Sequence, residues 1–183
     1  MLEWLTGRSQ SRRTASELYG RVVAEARQPL FYTDLGVPDT PEGRYELVVI
    51  ALFLVLERLR AEGAEREKLS QQVLEAFVTD MDDCMREMGV GDLTVPKRVK
   101  RAAAGFYERA AAYRAALAGP SMDGLGEALL TYVYNGATAA GHTRTLATFV
   151  RSSSERLLRM SVRDLVSGIP QIFDMRVLRE SER

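Results

Sequence analysis

The sequence holds one cysteine, Cys84, and one histidine, His142, among 183 residues. A lone cysteine closes no internal disulfide and suits a reducing compartment. One of each also leaves too few soft ligands for a structural zinc site. Charge of one sign is lacking as well. The 25 Lys plus Arg balance the 25 Asp plus Glu, so no net field draws the chain to nucleic acid or an anionic membrane. No apolar run reaches the roughly 20 residues that a membrane-spanning helix needs. Nowhere do apolar and polar residues alternate as they do in a half-buried strand. Residues 1–13 have neither the apolar core of a secretory signal nor the length of a typical transit peptide. A cytoplasmic protein without a metal or cofactor is expected.

What the chain does have is the run Leu47–Leu56, ten apolar residues without a break. Thr40 and Pro41 precede it as a cap and a first-turn residue, and Arg58, Arg60 and Gly63 follow it as C-terminal signals. A helix that is apolar all round must be enclosed. The expected fold is therefore all-α: one compact multi-helix domain around a buried central helix over Pro41–Ala61. The domain is expected to span residues 14–172. Residues 1–13 form a flexible N-terminal segment in this reading, and residues 173–183 a C-terminal tail.

Before the central helix, Leu18, Val22, Val23 and Ala26 make an apolar stripe over Ala15–Arg27. Phe31, Tyr32 and Leu35 then enrich a loop in large apolar side chains, which must either lie over the core or offer themselves to a partner. After it, Leu69, Val73, Phe77, Met81, Cys84 and Met88 mark one face of a helix ending at Gly89. Val99, Ala103, Phe106, Ala110, Tyr113 and Leu117 mark the next, with Thr94 as its expected cap. The short linker between them makes an antiparallel helical hairpin. A further helix starts at Ser121, a break is expected within residues 136–141, and a helix over Leu146–Met160 is expected to kink near Ser152–Ser154. Ser161 and Asp164 read as a capping box for a short helix ending at Gly168.

The hairpin turn carries charges against the helix-dipole preference. Asp80, Asp82, Asp83 and Glu87 crowd the end of one arm against Arg86 alone. Lys97, Arg98, Lys100 and Arg101 crowd the start of the other. Mutual pairing across the hairpin is the plain explanation, and a polar docking surface is the functional one.

Several segments in fixed order resemble the ubiquinol–cytochrome c chaperone family. They are Tyr19–Tyr32, Asp34–Asp39 and Glu42–Glu46; then Phe77–Asp83, Arg86–Asp92, Val95-x-Lys97-x-x-Lys100 and Phe106-Tyr-Glu-Arg-x-x-x-Tyr113. The similarity runs from about Leu18 to Ile172; Cys84 departs from it, and Thr143–Ser154 fits loosely. The resemblance implies a non-catalytic, all-α assembly chaperone of the bacterial branch. Its client is expected to be newly made cytochrome b or another subunit of the ubiquinol–cytochrome c reductase. It also implies a small partner protein, the ribosome exit region, and peripheral contact at the cytoplasmic face of the inner membrane. Leu2, Trp4 and Leu5 beside basic residues suit such contact. The expected client-binding residues are Phe31, Tyr32 and Leu35, together with Asp80, Asp82, Asp83, Arg86, Asp92, Lys97 and Arg101.

Three other chemistries compete. Asp80 and Asp83, three apart on a helix, suit Mg²⁺ in an all-α prenyl-diphosphate enzyme, but no second acidic cluster on a helix opposes them. His142 raises a haem- or lipid-binding helical protein. Arg144, Arg151, Arg156, Arg159 and Arg163 form a basic stripe without interleaved aromatics, which argues against DNA and fits a solvated face or an acidic partner.

Overall fold

The computed structural model describes residues 2–137, 140–168 and 171–174, with side chains from Gln10 onward except those of Glu65 and Ala140. Among the described residues there is no strand. The helices are α1 (Leu2–Ala26), α2 (Leu30–Thr33), α3 (Pro41–Arg60), α4 (Glu67–Glu87), α5 (Val95–Ala118), α6 (Asp123–Tyr132), α7 (Ala140–Arg159) and α8 (Val162–Ser167), with a 3-10 turn over Gly63–Arg66.

The apolar run becomes the middle of α3, and every residue from Leu47 to Val55 is buried. α3 packs against α1, α4, α5 and α7, so its whole circumference is covered. The N-terminal signal acts as the sequence implies. Thr40 Oγ1 accepts the Gly43 N–H at 3.1 Å. At the far end the buried Arg58 Nε donates to the Met160 carbonyl at 2.7 Å, tying α3 to the residue that follows α7.

Four boundaries differ from the sequence expectation. α1 is 25 residues long and starts at Leu2, so the polar run at 7–13 continues a helix. Expected contact of Leu2, Trp4 and Leu5 with a membrane concerns side chains outside the described ones. The Thr94 hydroxyl makes no capping hydrogen bond. α7 runs through Ser152–Ser154 without a break, because Ser153 Oγ bonds back to the Phe149 carbonyl at 2.7 Å instead of opening the helix. Finally, the core extends past Ile172: Phe173 and Asp174 are buried. Glu25 accepts the backbone N–H groups of Ile172 and Phe173 at 2.8 and 3.0 Å, and Ser153 Oγ accepts that of Asp174 at 2.8 Å. Residues 175–183 lie outside the described residues.

The loop before α3 is pinned by one glycine. A Cβ on Gly43 would sit 2.0 Å from the Pro38 carbonyl oxygen, a distance that backbone must move to relieve. Gly43→Ala is expected to cost about 2 kcal/mol, as overpacking against backbone does. Urea denaturation checks it; an unchanged midpoint would mean that the loop slides freely.

Candidate functional site

The aromatic loop and the hairpin turn, which the sequence offered as two halves of one surface, have opposite fates. Phe31 and Leu35 are fully buried. The Phe31 ring packs edge-on against Phe149 and Phe173, at centroid distances of 5.7 and 4.9 Å, while Phe149 and Phe173 stack at 5.3 Å. The Leu35 carbonyl accepts the Tyr134 hydroxyl at 2.6 Å in the interior. Phe31 and Leu35 are core residues, not docking residues, and Tyr32 is half-buried against that core. Of the two fates open to such a loop, it lies over the core.

The hairpin end is exposed, but its charges are not wired as expected. Arg86 lies between two carboxylates, donating to Asp82 at 2.6 Å and to Asp92 across the turn. Both contacts hold its guanidinium above the usual arginine value. Among the described residues, no ion pair joins Lys97, Arg98, Lys100 or Arg101 to Asp80, Asp82, Asp83 or Glu87. Asp80 turns inward, accepting the Tyr19 hydroxyl at 2.7 Å. Burial first and this hydrogen bond second push the Tyr19 phenol far above its ordinary value. Among the described residues the turn therefore presents Asp83, Glu87, Lys97, Arg98, Lys100 and Arg101 without ion pairs, beside two bared apolar side chains. Leu93 is 99% exposed and Met88 63%. Gly89, with φ +76°, reverses the chain so that both arms end at this surface.

Behind the turn lies an arrangement that the sequence did not announce. Glu46, only 5% exposed, sits in the first turns of α3. Arg109 of α5 reaches it with Nε at 2.8 and 2.7 Å from the two carboxylate oxygens and donates to the Gly105 carbonyl at 3.1 Å. The guanidinium lies over the Tyr132 ring at 4.7 Å and the Tyr45 ring at 5.8 Å. Burial raises the Glu46 carboxyl above its usual value. Burial alone would lower Arg109, but the carboxylate outweighs it and holds the guanidinium charged. This group joins α3, α5 and α6 through one ion pair and two ring contacts.

A groove of about 500 Å³ opens on the other side of α5. Phe53 and Leu56 of α3 floor it, Leu74 of α4 and Phe106 and Tyr107 of α5 wall it, and Gly63 and Ala64 close one end. Tyr107 is 60% exposed over it. The Glu57–Arg114 ion pair, at 2.6 Å, divides this groove from a second of about 250 Å³ between α5 and α7.

The basic stripe of α7 is split by the fold. Arg151 donates to the carbonyls of Ala116, Leu117, Gly119 and Ser121 at 3.2–3.4 Å, closing the end of α5. Arg156 bonds the carbonyls of Gln171 and Ile172. Only Arg144, Arg159 and Arg163 face outward, too few for an electrostatic track. The magnesium reading fails on geometry: Asp80 is committed to Tyr19, and among the described residues no three of His, Cys, Asp and Glu are grouped as metal ligands would be. His142 packs its imidazole on the Gly36 turn, where an added Cβ would lie 2.4 Å from Nδ1. Among the described residues no helix is long and apolar enough to cross a membrane.

Comparison with known proteins follows the same lines. The family model described as ubiquinol-cytochrome C chaperone matches residues 33–173. Among solved structures, the crystal structure of the Cbp3 homolog from Brucella abortus is similar, with a TM-score of 0.81 and 34% sequence identity. The match covers 94% of this chain and 96% of that one. A search of curated proteins gave no match.

Proposed function

Because this chain belongs to the ubiquinol–cytochrome c chaperone family, we propose that it holds newly made cytochrome b through the charged, apolar-tipped end of the α4–α5 hairpin. The family assists assembly of the ubiquinol–cytochrome c reductase, and its members are chaperones, not enzymes. Nothing in the fold supports the prenyl-diphosphate alternative.

One observation carries the reading: among the described residues, charges of both signs stand without ion pairs around the bared side chains of Met88 and Leu93. A loop of an unassembled membrane subunit has charges and apolar edges of its own. A surface offering both, each contact exposed and individually weak, gives the reversible grip that a holding chaperone needs. Its charged part comprises Asp83, Lys97 and Arg101, without ion pairs among the described residues, beside the exposed Asp82–Arg86–Asp92 group, and Asp80 positions the α4 end against α1 from within. A small partner protein, the ribosome exit region and the inner-membrane surface are further proposed contacts of the same chaperone.

Replacing Asp82, Asp83 and Arg86 together by alanine is expected to lower co-purification of cytochrome b at least about tenfold. The thermal midpoint should stay within about 2 °C, since Asp83 and Arg86 are exposed and Asp82 only half-buried. Unchanged capture would make the hairpin end purely structural.

A further inference from the structure

The linker that joins α4 to α5 is closed by backbone bonds at both ends. Gly89, with φ +76°, ends α4: the Val90 N–H returns to the Met85 carbonyl at 3.0 Å and the Gly89 N–H to the Arg86 carbonyl at 2.9 Å. That pair of bonds is the Schellman arrangement, which fixes the direction in which a chain leaves its helix. Further on, the Thr94 and Val95 N–H groups both donate to the Gly91 carbonyl, at 2.8 and 3.2 Å. Asp92 and Leu93 are the two central residues of the tight turn so formed.

One side chain spans the interval between these two bonded ends. Arg86 donates to Asp82, one turn back on α4, at 2.6 Å, and to Asp92 across the linker. Its guanidinium is therefore engaged within the hairpin itself. Asp92 immediately precedes Leu93, which at 99% is the most exposed large apolar side chain among the described residues, with Met88 next at 63%. A single leucine in water is ordinary. This one is held clear of the fold by bonds on either side of it, so little freedom remains to be lost when something covers it.

We propose that Leu93, with Met88 at the end of α4, is the apolar anchor of client capture, and that Arg86 is a positioning residue that presents this anchor without touching the client. The inference rests on reading the hairpin end as the client-binding surface, and assigns different roles within it. The chemistry that Leu93 fits is an aliphatic or aromatic side chain left uncovered on the unassembled polypeptide. Exposed ion pairs are individually weak, so losing the Arg86 bridge is a graded fault: the turn stays formed by its backbone bonds but must be ordered anew at each encounter.

The test is cytochrome b capture by the full-length protein, with a melting curve for each variant. Leu93→Ser is expected to lower capture at least about tenfold, and Arg86→Ala about fivefold. Both side chains are exposed, so the thermal midpoints should stay within about 2 °C of the parent. In the Leu93→Ser background, Arg86→Ala is expected to cost less than about twofold more, because a positioning residue then has nothing to position. Arg86→Asp alone should weaken capture; joined to Asp92→Arg it exchanges the two charges, keeps a bridge across the linker and should restore capture to within about twofold of the parent. A full further loss in the Leu93→Ser background, or an exchange that restores nothing, shows Arg86 gripping the client itself and overturns the proposal. Normal capture by Leu93→Ser overturns it as well. The variant with Asp82, Asp83 and Arg86 all replaced by alanine separates this inference from the reading beneath it. If that variant captures normally, the hairpin-end reading falls and this inference with it. If it loses capture while Leu93→Ser keeps it, only the anchor falls.

Discussion

Arg109→Met is expected to lower stability by about 3 kcal/mol, the cost of leaving a buried carboxylate without its partner. For a chain of this length that amounts to a fall of roughly 6–12 °C in the thermal midpoint. Glu46 is 5% exposed and takes both of its short contacts from the Arg109 Nε, so no solvent stands ready to replace them. Methionine fills much of the same volume between Tyr45 and Tyr132, so the loss reports charge more than a cavity. Two further variants separate the causes. Adding Glu46→Gln to Arg109→Met removes the orphaned charge and is expected to recover more than half of the loss, whereas Glu46→Gln alone should be mild. Denaturant titration of all four proteins closes the cycle. A drop below about 1 kcal/mol for Arg109→Met would falsify the view that this pair holds α3 to α5.

Phe31→Ala should be about as damaging for the opposite reason. Its ring is wholly buried between Phe149 and Phe173, and deleting a buried phenylalanine costs about 3–5 kcal/mol in transfer free energy and residual cavity. The midpoint is expected to fall by at least about 6 °C. At a temperature where the variant is still folded, cytochrome b capture should match that of the parent protein, because the side chain is out of reach. The reverse pattern, a stable protein that no longer captures its client, would return Phe31 to the binding surface. The same measurement on Phe173→Ala checks that the core extends beyond Ile172.

Local order along the chain specifies most of the helices. The central helix was legible because ten consecutive apolar residues with caps at both ends admit few environments. Hairpin arms, the Ser161 cap and the glycine stops at Gly89 and Gly168 are local signals whose physics lies within a few residues. The start of α1 was not legible, since Gly7–Arg13 is polar and carries no stripe.

The candidate sites were harder. Phe31 and Leu35 looked like docking residues because a sequence shows that a loop is apolar without showing what covers it. The covering groups come from Phe149 and Phe173, more than a hundred residues further on. α4 offered one obvious stripe, of which only Val73 and Phe77 are buried. A neighbouring stripe, Leu74, Val78, Met81, Met85 and Met88 at spacings of 4-3-4-3, was the available hint that α4 has apolar surface to spare. Tyr107, next to Phe106 but off the α5 seam, was the other hint.

Taken alone, the chain dictated its helices, its interior rod and its family, because capping, apolar periodicity and motif order are encoded among near neighbours. Which charges remain without ion pairs was settled by folding. Glu46 meets Arg109 across 63 positions and Glu57 meets Arg114 across 57. Arg86 turns to Asp82 and Asp92 and leaves the basic arm open. Charge is written at each position, but pairing depends on distances that exist only once the helices have packed. The surface able to hold another chain is what that pairing leaves over.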